Sequence, residues 1–310
     1  MGIALGGGIY DLSAAEVAQR FDQLAAAGFQ WVRLDMNWAF LEPTPGTYAW
    51  GETDALVNAA AARGLQVLGL IAYTPSWARP PGTDDKHQPN NTTDFAAFAG
   101  AAARRYRGQI VAWEIWNEPN HLPFWSSGPD AAFYGDLVTA SAFAIRVEAP
   151  GSFIISGGLS PAVDGSGSIA PETFMRGFLD RVPAGTLNAV GIHPYSFPAL
   201  PDEPLAWNTF ARMPQMQSLI AGYDPNLILW PTEFGAPVAE VGEVAQADAI
   251  RRAVECSEKH SWIGPMFIFT LQDLGGDTFG IRDGAGNERP AWTEVERLTD
   301  GFYATSSCRF

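Results

Sequence analysis

The chain has 310 residues, of which 47% are hydrophobic, and 34 acidic side chains against 19 Lys and Arg give a net charge of −15. That balance supplies a large core, repels a phosphate backbone with no Lys/Arg-rich run to offset it, and so speaks against nucleic acid as a partner. No segment approaches the roughly 18 uninterrupted apolar residues of a membrane span, and Cys256 and Cys308, with no CxxC or Cys/His cluster, argue against a structural metal while leaving a disulfide and two free thiols open.

Short apolar runs alternate with longer segments of helical period eight times, which predicts an α/β chain folded as a single (β/α)8 barrel. The strand candidates are Ile3–Leu5, Trp31–Asp35, Gln66–Ala72, Val111–Trp116, Phe153–Ser156, Ala189–Ile192, Leu227–Trp230 and Met266–Thr270. Each is short and apolar, as strands buried on both faces should be. Ser13 and Glu16 form a capping-box pattern, and the Ala-rich helix they open stops at Gly28. Helices are predicted over Asp54–Arg63, Asp94–Tyr106, Ala131–Glu148, Glu172–Leu179, Thr209–Ile220 and Val244–Lys259, with Pro214 read as interrupting the sixth of the series. No linker divides the chain, so residues 1–310 are read as one domain with a tail from about 299 to 310. The longest irregular stretches, Asn37–Gly51, Thr74–Asn91 and Pro194–Trp207, each follow a strand, where a barrel carries its site.

The fourth strand runs into Trp116-Asn117-Glu118-Pro119-Asn120, and Pro119 breaks it at once, leaving Glu118 on the rim. The seventh leads into Pro231-Thr232-Glu233-Phe234-Gly235, which puts Glu233 in the equivalent place. A single Glu at a strand end is ordinarily a solvated rim residue. Two of them on strands that face each other across a barrel mouth can hold their carboxyls about 5 Å apart, the spacing at which one protonates a leaving oxygen while the other attacks an anomeric carbon. Glu114 lies mid-strand and reads as buried against a cation such as Arg33.

WNEPN after strand four, HPY after strand six and TEFG after strand seven resemble the retaining (β/α)8 clan of glycoside hydrolases, clan A. Families 39 and 5 are the nearest. TPSWA after strand three and the stretch from Gln272 through DTFGIRD to RPAW look more like family 39 and the β-xylosidase-like branch. The likeness runs from about Gly2 to Trp292.

That resemblance implies Glu118 as acid/base, Glu233 as nucleophile, Asn117 as the partner of a sugar 2-hydroxyl, His193 and Tyr195 as the strand-six pair, and Arg33 as support for the nucleophile. It implies no cofactor and a carbohydrate substrate. The chain departs from it in two places: the loop after strand three reads Tyr73-Thr74-Pro75-Ser76-Trp77, without the His usual in family 5, and strand eight runs into Thr270-Leu271-Gln272-Asp273 where many clan members carry a Trp.

Trp38, Trp77, Trp116 and Trp125 sit at or after strand ends and are candidates for stacking on sugar rings, whereas Trp31, Trp230, Trp262 and Trp292 read as packing. His87 and His121 read as solvated loop residues. The expected function is endo-acting, retaining hydrolysis of a β-linked polysaccharide. A non-catalytic carbohydrate-binding barrel and a transglycosylase are the alternatives. Such a substrate implies action outside the cell or at its envelope, by an export route that MGIALGGGIYD, lacking a basic n-region and cleavage site, does not indicate.

Overall fold

The structure is a computed structural model that describes residues 1–302 and Cys308. Eight parallel strands, β1 (Gly2–Ala4), β2 (Trp31–Asn37), β3 (Gln66–Ala72), β4 (Ile110–Ile115), β5 (Phe153–Ser156), β6 (Ala189–Ile192), β7 (Ile228–Pro231) and β8 (Phe267–Phe269), pair with their sequence neighbours, and β1 pairs with β8. Between β7 and β8 the ring closes through Phe234, whose amide donates to the Phe267 carbonyl at 2.8 Å while its own carbonyl accepts from the Phe269 amide at 2.9 Å. The (β/α)8 barrel read from the alternation is the fold observed.

The strand pleat divides the core in two. Ala4, Leu68, Ala112, Ile155, Ala189, Trp230 and Phe267 fill the lower interior. Residues of opposite parity, such as Val32, Leu34, Trp113 and Ile115, pack outward under the helices. One step above the apolar layer, Arg33 and Glu114 point inward, so the cylinder is greasy below and charged at its mouth.

The helices begin and end close to where their caps predict. Ser13 accepts from the Glu16 amide and Glu16 reaches back to Ser13, closing the capping box of Ala14–Ala26. Pro214 corrects the expectation of an interrupted sixth helix: that helix runs Met213–Tyr223, and Pro214 sits in its first turn, where a missing N–H costs nothing. A helix after β8, Pro290–Thr299, was not among those expected. It also opens on a proline. The part of the predicted tail from residue 303 on, apart from Cys308, lies outside the described residues.

Cys308 is disulfide-bonded to Cys256 in the helix Glu243–Ser257, with a Cα–Cα distance of 5.2 Å. The bridge closes a loop across a sequence separation of 52 residues, long enough for the constrained unfolded chain to contribute about 2–4 kcal/mol. A Cys308→Ser variant is expected to unfold at lower temperature than the parent under oxidising conditions and at the same temperature once both are reduced, as followed by circular dichroism.

Candidate active site

The site is assembled on the carboxyl ends of β2, β4, β6 and β7. Arg33, 2% exposed, is its hub. Its Nε donates to Glu114 Oε2 at 2.5 Å, Nη1 to Glu233 Oε1 at 2.6 Å and Nη2 to Asn117 Oδ1 at 2.9 Å. Glu114 is fully buried, and its other oxygen accepts from the Gly158 amide at 2.8 Å and the Thr232 hydroxyl at 2.9 Å. Burial works against the Arg33 charge, but the carboxylates of Glu114 and Glu233 more than offset it, so its pKa lies above the usual arginine value.

Glu118 and Glu233 converge on His193. Its Nδ1 lies 2.8 Å from Glu118 Oε1 and 3.5 Å from Glu233 Oε2, and one carboxylate oxygen of each acid and the imidazole nitrogen all lie within 4.8 Å of one another. Burial disfavours the imidazolium, yet Glu233 and Glu118 override it and raise the pKa of His193. Its Nε2 is buried without a partner, so the neutral ring carries its proton on Nδ1, toward Glu118. The Tyr195 hydroxyl donates to Glu233 Oε2 at 2.8 Å. Burial raises the pKa of Glu233, but His193, Arg33 and the Tyr195 hydroxyl together bring it below the ordinary carboxylate value. Glu233 is thereby held ionised. Glu118, Glu233 and His193 form the donor set a metal could use, but Arg33 already supplies the positive charge at Glu233.

The loop that carries Glu118 is strained and tightly tied. Trp116 and Glu118 adopt φ of 69° and 47°, the left-handed region that non-glycine residues rarely enter. The Trp116 amide donates to Ile71, that of Glu118 to Gly158, and the buried Asn120 amide group bonds Ser160 and Ile169. Glycine at 158 is required by a close approach, since a Cβ there would stand 2.1 Å from His193 Nε2 and 2.5 Å from Thr232 Oγ1.

The stacking expectation fails for three tryptophans. Trp38, Trp116 and Trp125 are fully buried and present no face to a ligand. Each indole is used in packing and in an internal bond: Trp38 to Glu42, Trp116 to the Phe124 carbonyl, Trp125 to Gln88. Trp77 is half-buried, its ring edge against Trp38 and its indole N–H on the Glu42 carbonyl. His87 and His121 are also half-buried, bonded to the Gln88 carbonyl and to Ser168.

Several residues at the site were not singled out from sequence. Asp35 lies two residues beyond Arg33 on β2, so the pleat aims it into the same mouth. Tyr73 holds a left-handed φ of 70° with the Lys86 ammonium 4.2 Å from its ring centre. Phe279 packs against Tyr195, Phe197 and Phe269, so the loop after β8 brings an aromatic ring up against Tyr195. Period-two counting from Arg33 could have found Asp35. Phe279 lies in the DTFGIRD stretch, but nothing there marks it as reaching the site.

A Gly158→Ala variant is expected to lose about 1–3 kcal/mol through overpacking and to displace the His193 ring. Gly222→Ala, on a helix with open space around the added methyl, is expected to leave stability unchanged or slightly improved. Thermal unfolding compares the two, and the His193 ring resonances report the displacement.

The profile of the cellulase family, glycosyl hydrolase family 5, matches residues 10–175. Among curated proteins, endo-1,4-beta-xylanase C of Paenibacillus barcinonensis is 26% identical over 113 residues, 33% of this chain and 10% of that protein. Endo-1,4-beta-xylanase 1 of Gibberella zeae is 28% identical over 87 residues, 27% of this chain and 24% of the relative. Both matches thus cover well under two thirds of the relatives' length. Among solved structures, a family 39 glycoside hydrolase from Bacteroides cellulosilyticus WH2 superposes with a TM-score of 0.80 at 21% identity, covering 98% of this chain and 64% of that one. The structural likeness is one of fold, and the profile match spans more than half of the sequence: the chain belongs to the cellulase family, glycosyl hydrolase family 5.

Proposed function

We propose that this chain is a retaining glycosidase that cleaves β-linked polysaccharide from within, outside the cell or at its envelope. The observation that carries the reading is the pair of carboxylates, Glu118 and Glu233, with oxygens within 4.8 Å of each other at the barrel mouth. Retaining enzymes need about 5–5.5 Å between the two groups, and inverting ones leave room for a water between them.

In the first step an oxygen of Glu233 attacks the anomeric carbon, the glycosidic C–O bond breaks, and Glu118 gives its proton to the departing oxygen. In the second, Glu118 takes a proton from water, whose oxygen displaces Glu233 from the same carbon. Arg33 and Tyr195 hold one oxygen each of Glu233, which fixes its attack direction. Asn117 is oriented by Arg33 through its carbonyl, and its NH2 makes no protein hydrogen bond among the described residues. That leaves a donor for the sugar 2-hydroxyl. A non-catalytic barrel would have no use for a strained loop that positions an acid.

β-1,4-Xylan is the first polymer to test, since both curated relatives are named as xylanases. Glu233→Gln is expected to lower kcat by about 1,000-fold or more on any substrate the parent cleaves. Glu118→Gln should slow a poor leaving group far more than a dinitrophenyl glycoside, and added azide should restore turnover as the β-azide. Glu233→Gln within a few fold of the parent on any substrate, or Glu118→Gln within a few fold on a poor leaving group without azide, would reject the assignment.

Tyr195→Phe removes a hydrogen bond from the charged form of Glu233, so the Glu233 pKa rises. Since attack requires the carboxylate, the acidic limb of kcat/KM moves to higher pH. A bond of about 1 kcal/mol corresponds to a little under one pH unit. A pH-rate profile on an aryl glycoside reads this directly.

A further inference from the structure

Beside the barrel mouth, on the β1–β2 side, lies a cavity of about 730 Å³ whose lining includes Tyr10, Asp11, Asp35, Phe40, Glu52 and Thr53, with no Lys, Arg or His. Asp35 joins it to the catalytic centre. From the same inward face of β2 as Arg33, its charge is felt by Arg33 and Glu233 as well as by Glu114 and Lys86. Among the described residues no donor reaches its carboxylate, and the Tyr10 hydroxyl bonds its backbone carbonyl instead. Burial raises its pKa to about 6 against the pull of Arg33. A desolvated carboxylate without a donor is costly unless something else supplies the hydrogen bonds. At the far lip stands Phe40, a ring 72% exposed.

We propose that this cavity is a subsite for an uncharged sugar unit linked to the one being cleaved, with Asp35 accepting hydrogen bonds from its hydroxyls and Phe40 stacking on its ring. Two carboxylate oxygens suit neighbouring hydroxyls, which are donors fixed to one rigid ring. A large exposed aromatic beside a polar cavity suits the apolar face of the next ring. The same lining opposes a uronate, whose carboxylate would enter a space edged by Asp11, Asp35 and Glu52 with no cation on its wall. The inference rests on the glycosidase reading of Glu118 and Glu233 and adds to it the charge class of the substrate.

The test uses neutral xylo-, cello- and manno-oligosaccharides from trimer to hexamer, together with a uronate-bearing xylo-oligosaccharide, on the full chain. Asp35→Asn should lower kcat/KM on the neutral oligomer the parent prefers by at least about tenfold and narrow the parent's preference for neutral over uronate-bearing chains. Phe40→Ala should lose several-fold in kcat/KM, with the loss growing as the chain lengthens. That side chain is 72% exposed, so its removal is expected to leave folding intact. Phe143→Ala, equally exposed on the outer helix Ala131–Glu148, should match the parent. Turnover by the parent with both cleft variants within about twofold of it, or a parental preference for the uronate, overturns the subsite and leaves the glycosidase reading standing. A parent that cleaves none of these probes overturns both.

Discussion

One guanidinium holds the mouth of this barrel together. Arg33 reaches β4 through Glu114, the loop beyond it through Asn117, and β7 through Glu233. Taking a cation and two carboxylates out of water is expensive, and replacing such a group with hydrophobic side chains often leaves stability unchanged. The cluster is therefore poorly explained as a staple. Its value lies in direction: every polar atom of Arg33 has a fixed partner, so Glu233 and Asn117 cannot swing independently. Glu114, buried and doubly hydrogen-bonded through its other oxygen, contributes the compensating charge without entering the cleft.

The opposite wall is built by strain and close packing. Backbone angles at Trp116 and Glu118 that no relaxed strand would adopt turn the Glu118 side chain back over the barrel. Bonds to Ile71, Gly158, Ser160 and Ile169 hold that turn, and buried tryptophans fill the volume beneath it. His193 lies between the two acids and against Gly158, so the imidazole sets how near they approach. The spacing of the two acids is a property of the loops' undersides as much as of the cleft they line.

The strands were legible because burial on both faces leaves β-branched and apolar runs with sharp ends. The two acids were legible because proline or a Pro-Thr pair breaks each strand at a fixed place. Burial of Trp38, Trp116 and Trp125 was not, since a strand-end tryptophan has the same sequence signature whether it faces the cleft or the layer below. Pro214 misled for a related reason: proline marks a helix interruption or a helix start, and only the first turn's position tells them apart. The helix Pro290–Thr299 has its apolar residues Ala291, Trp292, Val295 and Leu298 on one face, but it lies beyond the last strand, where the alternation offers no following strand to bracket it. Phe279 stands in the DTFGIRD stretch, but the loop path that brings its ring to the site is not read from that motif.

The ring of strands is completed between β7 and β8 without a paired run, by the hydrogen bonds of Leu229 to Trp262 and Gly264 and, higher up, by the two of Phe234, the residue next to Glu233. The joint between β5 and β6 is also sparse, with Ile155 paired to Ala189 and a bridge from Leu159 to Ile192, but the seam at Phe234 is the one that adjoins Glu233. Partial opening under heat or denaturant would begin at the seam and carry away Glu233 while the remaining staves stay paired. Loss of turnover should then precede loss of secondary structure, and amide exchange at Phe234 and Phe269 should quicken before that of β2 and β3.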